Sequence, residues 1–224
     1  MSAAVIVGLL WVAFAVTHMG LSSRTWRPRV VAALGAQGFL GVYSLLALLV
    51  FAALVWFYVG HRHQGAQWWA PSIGGVALWA IYVAQGVAWS LVVAGVMTPS
   101  PAAFAVGDAK RSEAARGVHL LTRHPVFMGV GIFGALHLFG MGYASDVVFW
   151  AGFPLFALIG CAHQDRRKLA TEGADYRAWH ERTPFLPFTG RETLRGLREL
   201  PRLAIPIGVA LATGLRLLHG PLFR

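Results

Sequence analysis

Apolar and polar residues follow one another along this chain in long blocks. Apolar runs cover Ala3 to Leu21, Gly38 to Val59, Ile73 to Met97, Val126 to Gly142, Val147 to Ala162 and Leu203 to Leu218. A helix rising about 1.5 Å per residue needs roughly 17–25 such residues to cross a hydrocarbon core of about 30 Å. The first three runs meet that length and the last three sit near its lower limit. The sixth holds Pro206 and either crosses with Arg216 snorkelling to the interface or dips in without crossing. The blocks predict an all-α integral membrane protein. It is a single transmembrane domain over 1–224, a bundle of about six transmembrane helices.

Polar punctuation marks the ends of the runs: Ser22-Ser23-Arg24, Gly60-His61-Arg62-His63 and Thr98-Pro99-Ser100-Pro101. Pro125 suits the first turn of a helix, where its missing N–H costs nothing. The short turn Gly142 to Asp146 makes the fourth and fifth spans an antiparallel hairpin. Two longer polar stretches remain. One is Ala102 to Arg123, centred on Asp108 to Glu113. The other, Ala162 to Arg202, lies between spans five and six. Within it Asp165 to Glu181 reads as a cytoplasmic amphipathic helix. Leu169, Tyr176 and Trp179 share one side of it among Arg166, Arg167, Lys168, Arg177 and Arg182.

Composition agrees with this pattern. Of the 224 residues 57% are hydrophobic and only 12% charged, with a mean hydropathy of +0.59, against roughly 25% charged in a soluble domain. The net charge is +10. The bases stand in short loops between apolar runs, so they act as topology signals and contacts with anionic lipid, and nucleic acid is not an expected partner. Of the 19 Lys and Arg, 16 fall after spans one, three and five and 3 on the opposite side. That asymmetry predicts six spans with both termini outside the cytoplasm, and it puts Arg123-His124-Pro125 at the cytoplasmic face. Met1 to Leu10 lacks a basic n-region, so no cleavable signal peptide is predicted. The single cysteine, Cys161, excludes an intramolecular disulfide and reads as a packing residue.

All nine acids read as loop residues, which argues against a proton-coupled carrier. Inside the spans two histidines remain, His18 and His137. Neutral imidazoles from two helices can hold a haem b between them. Gly129, Gly131, Gly134 and Ala135 would leave room for a flat macrocycle, and Arg24 or Arg123 could pair with its propionates. By helix rise His18 lies about 9 Å inside Arg24, and His137 about 18 Å inside Pro125. The competing account is plain packing. Small residues bring membrane helices together, and an intramembrane histidine can simply hydrogen-bond a neighbouring helix. His61, His63 and His219 read as solvated. Arg123-His124-Pro125 is either a helix entrance with a snorkelling arginine and His124 as a polar gate, or an anion site at a helix N-terminus.

Taken together, several motifs resemble the NnrU family across nearly the whole chain. They are Thr17-His-Met-Gly-Leu21 with Arg24, Thr122-Arg-His-Pro125 with Gly129, and Ala135-Leu-His137. Further on come Asp165-Arg-Arg-Lys-Leu169, Tyr176, Trp179 and Thr183-Pro-Phe-Leu-Pro-Phe188. The family is named for a link with nitrite and nitric oxide reduction in denitrifying bacteria, which implies a bacterial inner membrane. It includes the 15-cis-zeta-carotene isomerases, which are haem b proteins. The resemblance therefore implies a role in nitrogen-oxide metabolism or in cis–trans isomerisation of an apolar polyene. It implies haem b as cofactor, a hydrophobic small molecule as substrate, His137 at a ligand position and His18 as its partner. His124 falls on the histidine of the Arg-His-Pro motif. Those isomerases carry a cysteine three residues before the ligand histidine. This chain has Gly134 there, so a thiolate-for-histidine ligand switch lacks its sulfur.

A more distant resemblance is to isoprenylcysteine carboxyl methyltransferases, which hold S-adenosylmethionine at the cytoplasmic face. Their paired acids after the hairpin correspond here to His163-Gln164-Asp165. A third possibility is a factor, not an enzyme, that assists assembly of a respiratory reductase.

Overall fold

The computed structural model describes residues 1–98 and 115–223; the predicted polar centre Asp108 to Glu113 lies outside them. The described residues form α1 (Ala3–Leu21), α2 (Trp26–Gly60), α3 (Gly75–Met97), α4 (Pro125–His137), α5 (Ala144–Thr171), α6 (Gly173–Arg182), α7 (Thr193–Arg198) and α8 (Ala204–Phe223). Short 3-10 turns at Gly117–Leu120 and Leu138–Gly140 precede and follow α4. Four helices, α1, α2, α3 and α5, are long and apolar enough to cross a membrane; Pro125–Gly140 and Ala204–His219 are shorter apolar helices.

The helix ends follow local chemistry. Ser2 caps α1 through its hydroxyl, which accepts from the Val5 N–H at 3.4 Å. α2 starts at Trp26, well before the predicted Gly38. The charged Arg27-Pro28-Arg29 reads as loop, yet Pro28 fits a first helical turn. A break at Gly35 (φ 73°, ψ 170°) divides this leading segment from the apolar part, in a conformation that favours glycine. α5 outruns the predicted Ala162 and continues to Thr171. Its added turns bury Asp165, Arg167 and Lys168. Asp165 to Glu181 is therefore not one helix: α5 ends, Glu172 separates the two, and α6 begins at Gly173. Tyr176 and Trp179 are buried against Leu169 and Ala115, in place of lying on an interface.

The described chain divides into two compact units. The first comprises Met1–Ser72 and His137–Phe156. Its core is aromatic: Trp11, Phe14, Tyr58 and Phe149 are buried, with Phe51, Phe153 and Phe156 packed on them. The Trp11 indole donates to the Phe149 carbonyl at 3.0 Å, and it lies so close to Gly152 that any Cβ there would overlap it.

The second unit comprises Ile73–Leu136 and Ala157–Arg224 and is built on small residues. A Cβ on Gly208 of α8 would stand 2.5 Å from the Ser90 backbone of α3. A Cβ on Gly129 of α4 would stand 2.5 Å from the Ala88 carbonyl of the same α3. Close backbone approach of this kind is how membrane helices gain packing contact without a hydrophobic driving force. Gly129 is thus filled by α3 and leaves no space for a macrocycle. Near the polar end α7 seats on the 3-10 turn, where the Gly117 N–H donates to the Glu199 carboxylate at 3.0 Å.

Candidate functional site

The predicted site residues fall into two places. Arg123 and His124 belong to the second unit, His18, Arg24 and His137 to the first.

In the second unit Pro125 opens α4, which brings Arg123 and His124 to its mouth. Both side chains turn inward onto Asp165 of α5. Arg123 Nε donates to Oδ2 at 2.7 Å, His124 Nε2 lies 2.9 Å from Oδ1, and the Tyr176 hydroxyl donates to Oδ1 at 2.9 Å. His180 Nε2 stands 3.5 Å from the same carboxylate. Arg123 also donates from Nη1 to the Thr183 carbonyl at 2.6 Å, with its guanidinium over the Phe185 ring at 5.2 Å. The segment after α6 is laced to the same mouth. The Arg123 N–H donates to the Pro184 carbonyl, and the Thr122 hydroxyl to the Phe185 carbonyl. The His124 side chain is 1% exposed and that of Arg123 10%. Neither is a gate or a surface arm. Together they clamp a buried carboxylate.

Asp165 lies beyond the apolar part of α5, which ends at Ala162. Burial alone would push its carboxyl up. The hydrogen bond and charge of His124, then those of Arg123, outweigh burial and hold it at about 2. Burial, then the negative charge of Asp165, pushes the Tyr176 phenol up, so it stays a donor. Burial, then the Arg123 charge, lowers His180. The clamp therefore holds one fixed negative charge against the Arg123 guanidinium, with the His124 ring and the Tyr176 hydroxyl beside it. Two neighbours join it indirectly. The ring of His119 packs edge-on to Trp179, and its Nε2 lies 3.0 Å from the Thr98 carbonyl. Burial lowers His119 to about 4.

In the first unit His18 sits among rings: Tyr43 at 4.7 Å, Phe14 and Phe156 at 5.3 Å each. Arg24 is exposed in the turn after α1. Arg27, not Arg24, leans over the Phe39 ring, at 5.5 Å, and Phe39 stacks on Tyr43. His137 ends α4 and stacks face to face on Trp150, with ring centres 3.9 Å apart and planes 10° apart. Trp150 and Phe156, the α5 neighbours of the two histidines, are separated by about 9 Å of helix rise.

The donor chemistry suits haem b: two imidazoles in aromatic surroundings within one unit. Among the described residues no group of three or more His, Cys, Asp or Glu is placed to hold a bare metal ion, whereas haem iron takes only one or two axial side chains.

One acid read as a loop residue meets His63, whose side chain is 55% exposed and so remains solvated as read. His63 Nδ1 lies 2.7 Å from Oδ2 of Asp146, a fully buried carboxylate in the first turn of α5. His61 stacks on Phe57 at 4.0 Å and contacts its carbonyl. Asp146 and Asp165 thus both belong to α5, not to loops. The signal available for Asp165 was its place before Arg166-Arg167-Lys168: an acid opening a basic run. Nothing local pointed to Asp146.

The description NnrU protein matches residues 6–224. The chain is similar to the chloroplastic 15-cis-zeta-carotene isomerase of Arabidopsis thaliana, at 27% identity over 94% of this chain and 58% of the relative. It is also similar to the enzyme of the same name from Zea mays, at 25% identity over 88% of this chain and 53% of the relative. The chain thus spans little more than half the length of these relatives. No solved structure matches.

Proposed function

The chain belongs to the NnrU family, and from that premise we propose that it is a membrane-embedded, isomerase-like protein that acts on an apolar polyene with the help of haem b. The observation that carries this reading is the setting of His18 and His137: both lie against the aromatic ridge of α5, in one unit. They are the axial ligands proposed here. The similarity to carotene isomerases along most of the chain supports the reaction class.

Haem b, when bound, supplies a redox-active, Lewis-acidic iron. The chain supplies the rest. His137 and His18 would hold the iron, and Arg27 is better placed than Arg24 to meet an anionic edge near His18. Trp11, Phe14 and Phe153 present apolar ring surface that excludes water. A cis–trans isomerisation moves no atoms between molecules, so it needs no stoichiometric proton donor. The buried carboxylates Asp146 and Asp165 are each engaged by internal donors.

The topology proposed with this function is six spans in a bacterial inner membrane, with both termini outside the cytoplasm and the polar stretch after α5 inside. The Lys and Arg asymmetry of the loops supports it. A methyltransferase would need Arg123 and His124 for the carboxylate of S-adenosylmethionine, and both are engaged by Asp165.

The test is an absorption spectrum of protein purified in detergent after expression with haem supply. A Soret band is expected, weakened in His137→Ala, and 15-cis-zeta-carotene serves as probe substrate for product analysis by chromatography. Absence of the band sinks the haem reading. A band indifferent to both His137→Ala and His18→Ala moves the ligands elsewhere.

A further inference from the structure

We propose that Trp150, Tyr58 and Asp146 are positioning residues for His137, and that they set its ring through one directed chain of hydrogen bonds ending at a buried carboxylate. The inference rests on the proposed ligand role of His137 for its purpose, though not for its geometry.

The chain begins at the stacked pair. Trp150 covers the His137 ring at 3.9 Å and 10°. Its indole Nε1 donates to the Tyr58 hydroxyl at 3.1 Å, and that hydroxyl donates to Asp146 Oδ1 at 3.1 Å. The Tyr58 ring is itself pinned, stacked on Phe149 with centres 3.7 Å apart and planes 4° apart. Asp146 is fully buried. It also accepts from the His63 N–H at 3.1 Å, while the His63 ring stands 2.7 Å from Oδ2.

An indole nitrogen only donates, so the direction of the first bond is fixed. The phenol must then spend its own proton on the carboxylate. Every donor therefore points toward Asp146, and each bond polarises the next. Two things follow for His137. The indole plane cannot turn without breaking the bond to Tyr58, so the imidazole facing it is held in one plane. The carboxylate also draws the indole N–H toward it and enriches the ring that His137 faces. This orients a ligand from outside its first coordination sphere, as carboxylates and carbonyls do in metal sites. Here it would act through an aromatic stack in place of a direct hydrogen bond.

The experiment uses the full chain, labelled with ¹³C-histidine, purified in detergent and reduced with dithionite. The His137 signal is assigned by its loss in His137→Gln. Tyr58→Phe keeps the ring on Phe149 and removes only the hydroxyl. It is expected to shift the His137 signal while leaving that of His18 in place, and Asp146→Asn is expected to shift it the same way. A merely structural role would lower the melting temperature and leave the His137 signal of the folded protein unmoved; that result in both variants overturns the proposal. If haem is bound, Asp146→Asn should also raise the reduction potential, since a negative charge that favours the oxidised iron is gone. If no Soret band appears in the wild type, the haem function fails, and the His137 signal alone still decides whether the chain positions the ring.

Discussion

At the scale of single residues, Asp165 gathers Arg123, His124, Tyr176 and His180 around one carboxylate. Removing one member of a buried ion pair typically costs roughly 3–5 kcal/mol, because the partner charge is left uncompensated. Asp165→Asn is therefore expected to lower stability by about that amount, as read from denaturation in detergent, since Arg123 would keep its charge with no carboxylate to meet it. The sign of its pH dependence follows from the depressed carboxyl. Its stabilisation is full above the ordinary value of 3.8 and is lost as pH falls through about 2. His119 acts in a higher window. Burial holds its ring neutral down to about 4, whereas the unfolded chain takes up that proton near 6.5. The unfolded state then binds more protons across this interval, so stability falls as pH drops from 6.5 toward 4. Melting temperatures across that window should show the fall, and His119→Gln should flatten it. An equal slope in the variant would assign the loss to other groups.

At the scale of helices, the second unit depends on glycines where backbones meet. Gly208 against Ser90, and Gly129 against Ala88 and Val92, leave no space for a side chain. Overpacking of this kind typically costs about 1–3 kcal/mol. Gly208→Leu and Gly129→Val should each lower the melting temperature. Gly214→Leu on the same α8 is the control, since nothing lies within 4 Å of a Cβ there. Equal loss in all three variants would overturn the contact account, since Leu and Val are better helix formers than Gly and helix propensity by itself would raise stability. The first unit is held differently, by large rings around Trp11 and Tyr58. The contrast is legible in composition: α4 carries three glycines in thirteen residues, whereas the N-terminal half of α5 carries Phe149, Trp150, Phe153 and Phe156.

At the scale of the whole molecule, the distribution of bases predicts which side of the membrane each loop occupies. Alkaline phosphatase fused after His63 should be active, because that loop is on the side with few bases. The same reporter fused after Arg202 should be inactive. Opposite activities would reverse the orientation, and two active fusions would remove a span between them. The shorter helix α4 decides the outcome, since among the described residues between the two fusion points only α3 and α5 are long and apolar enough by themselves.

The sequence alone determined the apolar segments, the family and the two histidines that stand within apolar runs. These are local properties: hydropathy over some twenty residues, a proline at a helix start, a motif of three or four residues. Only the tertiary structure decided what the buried charges meet. Asp165 reaches Arg123 across 42 residues and Asp146 reaches His63 across 83. No periodicity records such a pairing, because a buried carboxylate is satisfied by whichever donors the fold delivers. The same cause turned Arg123-His124 from a surface doorway into an internal clamp. A helix mouth looks alike in sequence whether its charges face water or a carboxylate. Which of the two holds here was settled by the polar extension of α5, whose length exceeds its apolar run because Arg123, His124 and Tyr176 satisfy the acid it carries inward.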